Sequence, residues 1–376
     1  MNILVLNWRS LKDPLSGGAE LATYEHAKRW VKNHGANVTW LSPKYNKDLS
    51  QEIIDGISFE YLGIPLNRDN IFQMLISFPL FYFLVFYKYL THYRKSTDVI
   101  IDQVHGIPYL TPLYSNKKIV VYIHEVAGEI WNKMYSFPIN KIGKFIEKII
   151  FIPYRIRGVH FVTVSKGTKK DLINFIGIQP NNITIVHNGV SIKPANPKDI
   201  KKNKFLTIIY LNRLVKMKGI ERAIDIFNEV LKKEPKTHLN IVGHGEPEYV
   251  DYLKRKIKNM GIENNIKFWG YVDEPTKIKL LRNSHVLINT SYKEGWGLVN
   301  IEANTQGTPV VAFNVPGNNE SIKNGVSGYI CNSEIDMVNK IILIYSKNNL
   351  TEPSIEWSSK FDWIKNAKIF YKKLCQ

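Results

Sequence analysis

The sequence predicts an α/β protein made of two Rossmann-like, doubly wound domains. Three observations carry that prediction. Short apolar, β-branched runs alternate with amphipathic stretches through residues 1–190. The same alternation resumes after residue 203, and between the two lies Ser191 to Asn203, a polar stretch with two prolines and no apolar period. At 376 residues the chain has room for two ordinary domains, each with its own core.

Taken in order, the first half places strands near 2–7, 37–41, 98–102, 118–123, 159–164 and 183–186, with helices near 18–33, 70–92, 140–152 and 166–176 between them. Residues 191–203 read as a linker. The second half places strands at Leu206 to Leu211, His238 to Val242, Asn265 to Trp269, His285 to Asn289 and Pro309 to Phe313, and helices near 219–233, 248–259, 275–283 and 298–306. Its domain is expected over 204–355. Residues 356–376 carry Phe361, Ile364, Phe370 and Leu374 at helical spacing and are expected to pack back on the N-terminal domain.

Open parallel sheets bind ligands beyond the carboxyl ends of their strands. In the second half those ends lead into Asn212-Arg213, Gly243-His-Gly-Glu246, Gly270-Tyr271 and Thr290 to Glu294, so the polar and glycine clusters fall on one rim. The most informative stretch is Glu294-Gly-Trp-Gly-Leu-Val-Asn-Ile-Glu302, a glycine-bearing loop that opens a helix. The first peptide N–H groups of a helix are unpaired and partly positive, which suits a diphosphate, and Gly295 and Gly297 let the backbone approach closely. The amides through Trp296, Gly297, Leu298 and Val299 are therefore candidate donor contacts. Glu302, a turn inside the helix, can accept from ribose hydroxyls, and Glu294, ahead of it, can face a sugar. The plainer reading makes Glu302 a solvated helix residue.

Moving a sugar off a nucleotide requires negative charge on the departing diphosphate to be neutralised. No Asp-X-Asp pair is present to hold a divalent metal, whereas Arg213 and Lys218 can act directly as a bidentate guanidinium and an ammonium. Lys216 is near enough in sequence to blur that assignment, and the plainer reading has Arg213 and Lys218 merely flank a helix start. Trp269 and Tyr271 lie where a base could rest, beside Gly243. In the first half, Gly17-Gly18 at a helix start reads either as a phosphate cradle or as a tight entry turn, and His124, after the strand Ile119 to Ile123, points into a cleft or caps its strand. Ser165 to Thr168 and His187 to Gly189 read as caps and turns.

The net charge of +18 invites a nucleic-acid reading, but its distribution argues otherwise. Between 141 and 170, eight lysines and arginines face only Glu147. No nucleic-acid module accompanies them, so no nucleic-acid partner is expected. Residues 141–152 place Ile142, Phe145, Ile146, Ile149 and Ile150 on one face and Lys141, Lys144 and Lys148 elsewhere. Packing of that face onto the N-domain core is the first expectation; contact of the basic 141–170 segment with an anionic membrane is the alternative. The uncharged run 71–87 contains Pro79 and is short for a spanning helix, which needs about 20 apolar residues. It is expected to be buried or to touch a membrane. Only two widely separated cysteines, Cys331 and Cys375, are present, which make no disulfide framework and lack metal-ligand spacing, and Met1 to Asn7 reads as a strand rather than a signal peptide, so a cytoplasmic location is expected, peripheral to the membrane at most.

Taken together, Ser16-Gly-Gly-Ala-Glu20, His124-Glu125, Val164-Ser165-Lys166, His187-Asn-Gly-Val190, Asn212-Arg213-Leu214 with Lys218-Gly219, Val242-Gly-His-Gly245, Phe268-Trp-Gly270 and the Glu294 to Glu302 spacing resemble glycosyltransferase family 4, retaining enzymes of the GT-B fold, over nearly the full length. The resemblance implies two Rossmann-like domains facing a central cleft. It assigns 1–190 to the acceptor and 204–355 to a UDP- or GDP-linked sugar. It further implies that Arg213 and Lys218 bind the diphosphate, Glu302 the ribose and Glu294 the donor sugar, with His124 touching that sugar from the opposite domain. His124, Glu294, Arg213 and Lys218 are thus the expected catalytic set. The acceptor, a glycan or lipid-linked, would attack from the leaving-group face and give its proton to a phosphate oxygen, with no cofactor and no metal. Asn212 where the family often has glycine, and Trp296 where it often has Phe or Ser, bear on donor fit. A sugar-nucleotide 2-epimerase of the same architecture is the rival enzyme class, and a basic nucleic-acid binder the non-enzymatic one.

Overall fold

Strands that are apolar on both faces must be covered on both, and this chain does so twice. The computed structural model describes residues 1–13, 16–65, 71–347 and 349–376, with the backbone alone for 71–75. Two compact units emerge: residues 1–189 with 363–376, and residues 190–362. Pro14 and Leu15 of the first polar loop, and Asn70 at the expected start of the second helix, lie outside the described residues.

Unit 1 holds eight strands: β1 (Asn2–Leu6), β2 (Asn37–Pro43), β3 (Gln51–Ile54), β4 (Ile57–Leu62), β5 (Val99–Val104), β6 (Lys118–Ile123), β7 (His160–Thr163) and β8 (Ile183–Ile185), in the order β3-β4-β2-β1-β5-β6-β7-β8. All pairs are parallel except β3 with β4. That hairpin was not expected from the sequence. Its signal was Asp55-Gly56, whose positive φ values of 48° and 77° make the turn, but the edge strand β3 is only four residues long and half exposed. One face of the sheet is covered by Phe81, Val85 and Tyr89 together with Phe151 and Tyr154. The other is covered by helix Gly18–His34 and the last helix, Trp363–Cys375, joined where Trp30 Nε1 donates to Ala367 O at 3.1 Å. Trp363, Ala367, Phe370 and Leu374 are the buried stripe; Ile364, read as part of it, points out.

Unit 2 is an all-parallel sheet: β9 (Thr207–Leu211), β10 (His238–Val242), β11 (Ile266–Gly270), β12 (Val286–Asn289), β13 (Val310–Phe313) and β14 (Gly328–Cys331), ordered β11-β10-β9-β12-β13-β14. The sequence reading lacked the four-residue β14. The strand order reverses between β9 and β12, so the loops after Leu211 and Asn289 splay apart side by side, the place where such sheets bind ligands. Residues 191–203 are not a free linker. Ala195 N donates to Thr305 O, Asn203 N to Asn283 O, and the buried Lys202 ammonium donates to Ser284 O, Gly307 O and Thr308 Oγ1. Those carbonyls at the amino edge of the sheet need donors, and this polar stretch supplies them. Helix Thr351–Ser358 also stays in unit 2, with Trp357 Nε1 donating to Ser321 O, so the chain crosses back at residue 363 rather than 356.

The helix Ile139–Ile149 corrects a further expectation. Most of its apolar stripe does not pack on the core: Ile142 is 53% and Phe145 64% exposed, Ile146 and Ile149 are exposed with them, and only Ile150, just past the helix end, packs against it. Its inward face is Gly143 and Glu147 instead. On helix Ile71–Lys88, Phe81 and Val85 are buried while Ile76, Phe83 and Tyr87 are exposed. Among the described residues, no helix is long and apolar enough to cross a membrane.

Candidate active site

The two loops at the switch point of unit 2 are tied together by backbone. Gly219, at φ +68°, lies so close to Thr290 O that a Cβ there would collide with it, and Thr290 Oγ1 donates to Gly219 O at 2.7 Å. Tyr292 N donates to Met217 O, and Tyr210 OH to Lys218 O. This lacing brings Lys218 Nζ to 2.7 Å from Glu294 Oε1, which also accepts from Ser291 Oγ at 2.7 Å. Both side chains of the pair are largely buried, so the interaction is screened less than a surface pair. An ammonium has three donors, and Glu294 uses only one of them.

Gly297 caps helix Leu298–Thr305 at φ +80°, a conformation that favours glycine, and a Cβ there would sit 2.5 Å from Asn300 Nδ2. Beneath the loop lies a buried amide network that sequence reasoning missed. Asn289 Nδ2 donates to Asn300 Oδ1 at 3.0 Å, and Asn300 Nδ2 donates to Asn318 Oδ1 and Ser321 Oγ, each at 2.9 Å. Gly317 N donates to Glu294 O at 3.1 Å. Strand β12, helix Leu298–Thr305 and the short helix Asn318–Ser321 are thereby tied together beneath Glu294, Gly295 and Trp296, and Trp296 is buried against Phe361 with ring centroids 5.2 Å apart. The first amides of the helix, at Leu298 and Val299, have no acceptor within the helix.

Glu302 is not a solvated helix residue. It is mostly buried and pairs with Lys277 Nζ at 2.9 Å. Lys277, on helix Glu274–Asn283, was not singled out in the sequence because its contact with residue 302 exists only in three dimensions. Arg213 is half-buried in the loop after β9, and its guanidinium makes no hydrogen bond or ion pair among the described residues. That loop meets the next one: Leu214 N donates to His244 O at 2.7 Å, and a Cβ on Gly243 would collide with Asn212 O. The two aromatics separate. Tyr271 stands on the rim, 82% exposed and 6.4 Å from the His244 ring. Trp269 instead turns its indole along the sheet, with Nε1 donating to Asn240 Oδ1 at 2.9 Å and Lys267 Nζ 3.8 Å from the ring centroid.

In unit 1 the corresponding rim carries Gly17, Gly18, His105 and His124. Gly17 N donates to Glu20 Oε2 at 2.8 Å, so the helix entry is capped by its own carboxylate, whose other oxygen lies 3.2 Å from His105 Nε2. His105 was also missed, since one histidine after a strand carries no pattern. His124 follows β6, and Thr168 Oγ1 donates to its carbonyl at 2.9 Å. Its ring nitrogens are covered and have no hydrogen-bond partner among the described residues. Burial, helped by the neighbouring His105, holds the imidazole well below its ordinary pKa and therefore neutral. Ser165 caps the next helix through Thr168 N, as expected.

Known proteins share this fold and these domains. Residues 16–193 match the family described as Glycosyltransferase Family 4, and residues 191–368 match Glycosyl transferases group 1. The chain belongs to the family 4 glycosyltransferases. An uncharacterized glycosyltransferase of Methanocaldococcus jannaschii is 26% identical over 389 residues, covering 96% of this glycosyltransferase and 95% of the relative. A poly(glycerol-phosphate) alpha-glucosyltransferase of Bacillus subtilis is 28% identical over 227 residues, covering 59% of this chain and 32% of its own. Two solved structures share the fold: sucrose-phosphate synthase from Thermosynechococcus elongatus (TM-score 0.78, 17% identity, 99% and 98% coverage) and Anabaena HepE in complex with UDP-glucose (TM-score 0.76, 20% identity, 100% and 99% coverage). The enzyme is accordingly a transferase of the GT-B type.

Proposed function

We propose that the enzyme is a retaining, metal-independent hexosyltransferase that takes a UDP- or GDP-linked sugar and transfers it to a glycan or lipid-linked acceptor in cell-surface polymer or glycolipid synthesis. The observation that carries this reading is the contact of Lys218 with Glu294 at the switch point of the second sheet. Lys218 keeps donors for a diphosphate while Glu294 faces the sugar hydroxyls. Arg213 and the amides of residues 295–299 complete the positive field, and Glu302 accepts from the ribose. As the bond from the anomeric carbon to the diphosphate oxygen breaks, the electron pair stays on that oxygen. The acceptor oxygen bonds to the same carbon from the same side, and its proton passes to the phosphate. No protein nucleophile is needed. His124, neutral, serves as a hydrogen-bonding partner for a sugar hydroxyl once donor binding uncovers its ring nitrogens, which are buried without the sugar. The relative named an alpha-glucosyltransferase and the fold shared with a UDP-glucose complex support the donor class.

Removing Arg213 or Lys218 is expected to cost on the order of 10²–10³ in turnover at saturating donor, and EDTA to leave activity intact. Near-normal turnover in both variants and in Glu294→Gln would overturn the assignment. A thermal-shift panel of UDP- and GDP-sugars identifies the donor.

The exposed apolar stripe of helix Ile139–Ile149, flanked by Lys141 and Lys148, is read as a docking face for an anionic bilayer, which would place the enzyme where lipid-linked acceptors reside. Flotation with phosphatidylglycerol-containing vesicles, lost on charge reversal of Lys141 and Lys148, is expected. Equal recovery with neutral vesicles counts against it.

A further inference from the structure

The helix that presents the apolar stripe is fastened to the loop that leaves His124. Glu147 Oε1 accepts from Ala127 N at 2.7 Å, and Oε2 accepts from Gly128 N and from Trp131 Nε1, each at 2.9 Å. One carboxylate therefore satisfies two consecutive backbone amides and an indole. The Trp131 ring lies across the same helix one turn earlier, against Gly143, where any Cβ would collide with it. Gly143 and Glu147, four residues apart, share one helix face. This grip on the 127–131 segment takes the place of an apolar seat, which is why Ile142, Phe145, Ile146 and Ile149 remain outside. Glu147 is also the only acidic residue among the eight cations of 141–170, so it breaks the charge pattern at the point where it is used for bonding.

Only Glu125 and Val126 separate His124 from Ala127. A shift of the helix cannot leave that segment in place, because charge-assisted bonds are short and directional and the Trp131–Gly143 contact has no slack. We propose that Glu147 is a positioning residue that transmits seating of helix Ile139–Ile149 on an anionic bilayer to the loop carrying His124, so that docking orders that part of the site. The proposal rests on the membrane reading above.

Amide exchange of the peptide 125–131, followed by mass spectrometry on the full chain with and without phosphatidylglycerol vesicles, tests it. In the wild type the vesicles are expected to slow exchange of this peptide roughly tenfold. In Glu147→Gln, which keeps the size but offers an NH₂ where an acceptor is needed, flotation and the thermal midpoint should persist while the peptide exchanges fast and ignores vesicles. Trp131→Phe keeps the ring on Gly143 and removes one bond, so it should respond between the two. A wild-type loop indifferent to vesicles that bind the protein overturns the coupling alone, as does a Glu147→Gln loop that responds like wild type. Absence of flotation overturns the membrane reading and the coupling with it.

Discussion

Gly317 sits under the loop that carries Glu294 and should be intolerant of a single methyl group. Its φ of −65° is ordinary, so Gly317→Ala brings no backbone strain and acts only by volume. The new Cβ would lie 2.6 Å from Glu294 O, 2.7 Å from Trp296 N and 2.8 Å from the Gly295 carbonyl carbon. Ordinary contact begins at 3.4 Å, so the loop must rise by about 0.8 Å, the difference between 3.4 and 2.6. All three opposing atoms are backbone and cannot turn aside. Overpacking of this kind costs about 1–3 kcal/mol of stability. Misplacement near 1 Å costs up to about 10² in rate, so turnover should fall by tens of fold. The assay is nucleotide release at saturating donor, with the thermal midpoint taken on the same preparation. Turnover within about twofold of wild type in a folded variant would refute the view that Gly317 sets the height of the Glu294 loop.

Further consequences follow from the buried groups. Lys277→Met removes the partner of Glu302 and should raise the donor KM by about tenfold with little change in kcat, an effect that disappears with a 2′-deoxyribose donor; equal loss with both donors would place Lys277 outside ribose recognition. His26 lies wholly buried among Trp30, Tyr122, Trp363 and Phe370, and burial drops its pKa from 6.5 to about 3, with His124 and Arg29 adding to the effect. The folded state therefore favours the neutral ring. Its contribution is complete above pH 6.5 and is lost as the pH falls toward 3, at a slope approaching about 1.4 kcal/mol per pH unit. Thermal midpoints of His26→Phe should decline less steeply than wild type below pH 6.5; parallel curves would remove His26 from the account.

Much of the fold was legible because it depends on local alternation. Apolar runs such as Ile119 to Ile123 and the helical stripes between them can be read residue by residue, and chain direction then puts polar loops on one rim. The missed strands lack a continuous apolar run: β3 is half exposed, β4 alternates Ile57, Phe59 and Tyr61 with Ser58 and Glu60, and β14 opens on Gly328 and is only partly buried. The exposed stripe of helix Ile139–Ile149 shows a sharper limit. Periodicity states that a helix has an apolar face but not which way it turns, and here Glu147 and Gly143 decide the rotation. Trp269 was placed on the rim by its position at a strand end, yet Asn240, on the neighbouring strand, draws the indole along the sheet.

By itself the sequence determined the two α/β units, the family, and the eight-residue spacing of Glu294 and Glu302, since these are properties of order along the chain. Only the tertiary structure decided that Lys218 reaches Glu294, that Lys277 holds Glu302, that His105 joins Glu20, and that an asparagine network supports the Gly297 turn. Each of those pairs joins separate loops or elements, and their approach is fixed by the strand order and by close backbone packing that no single segment encodes.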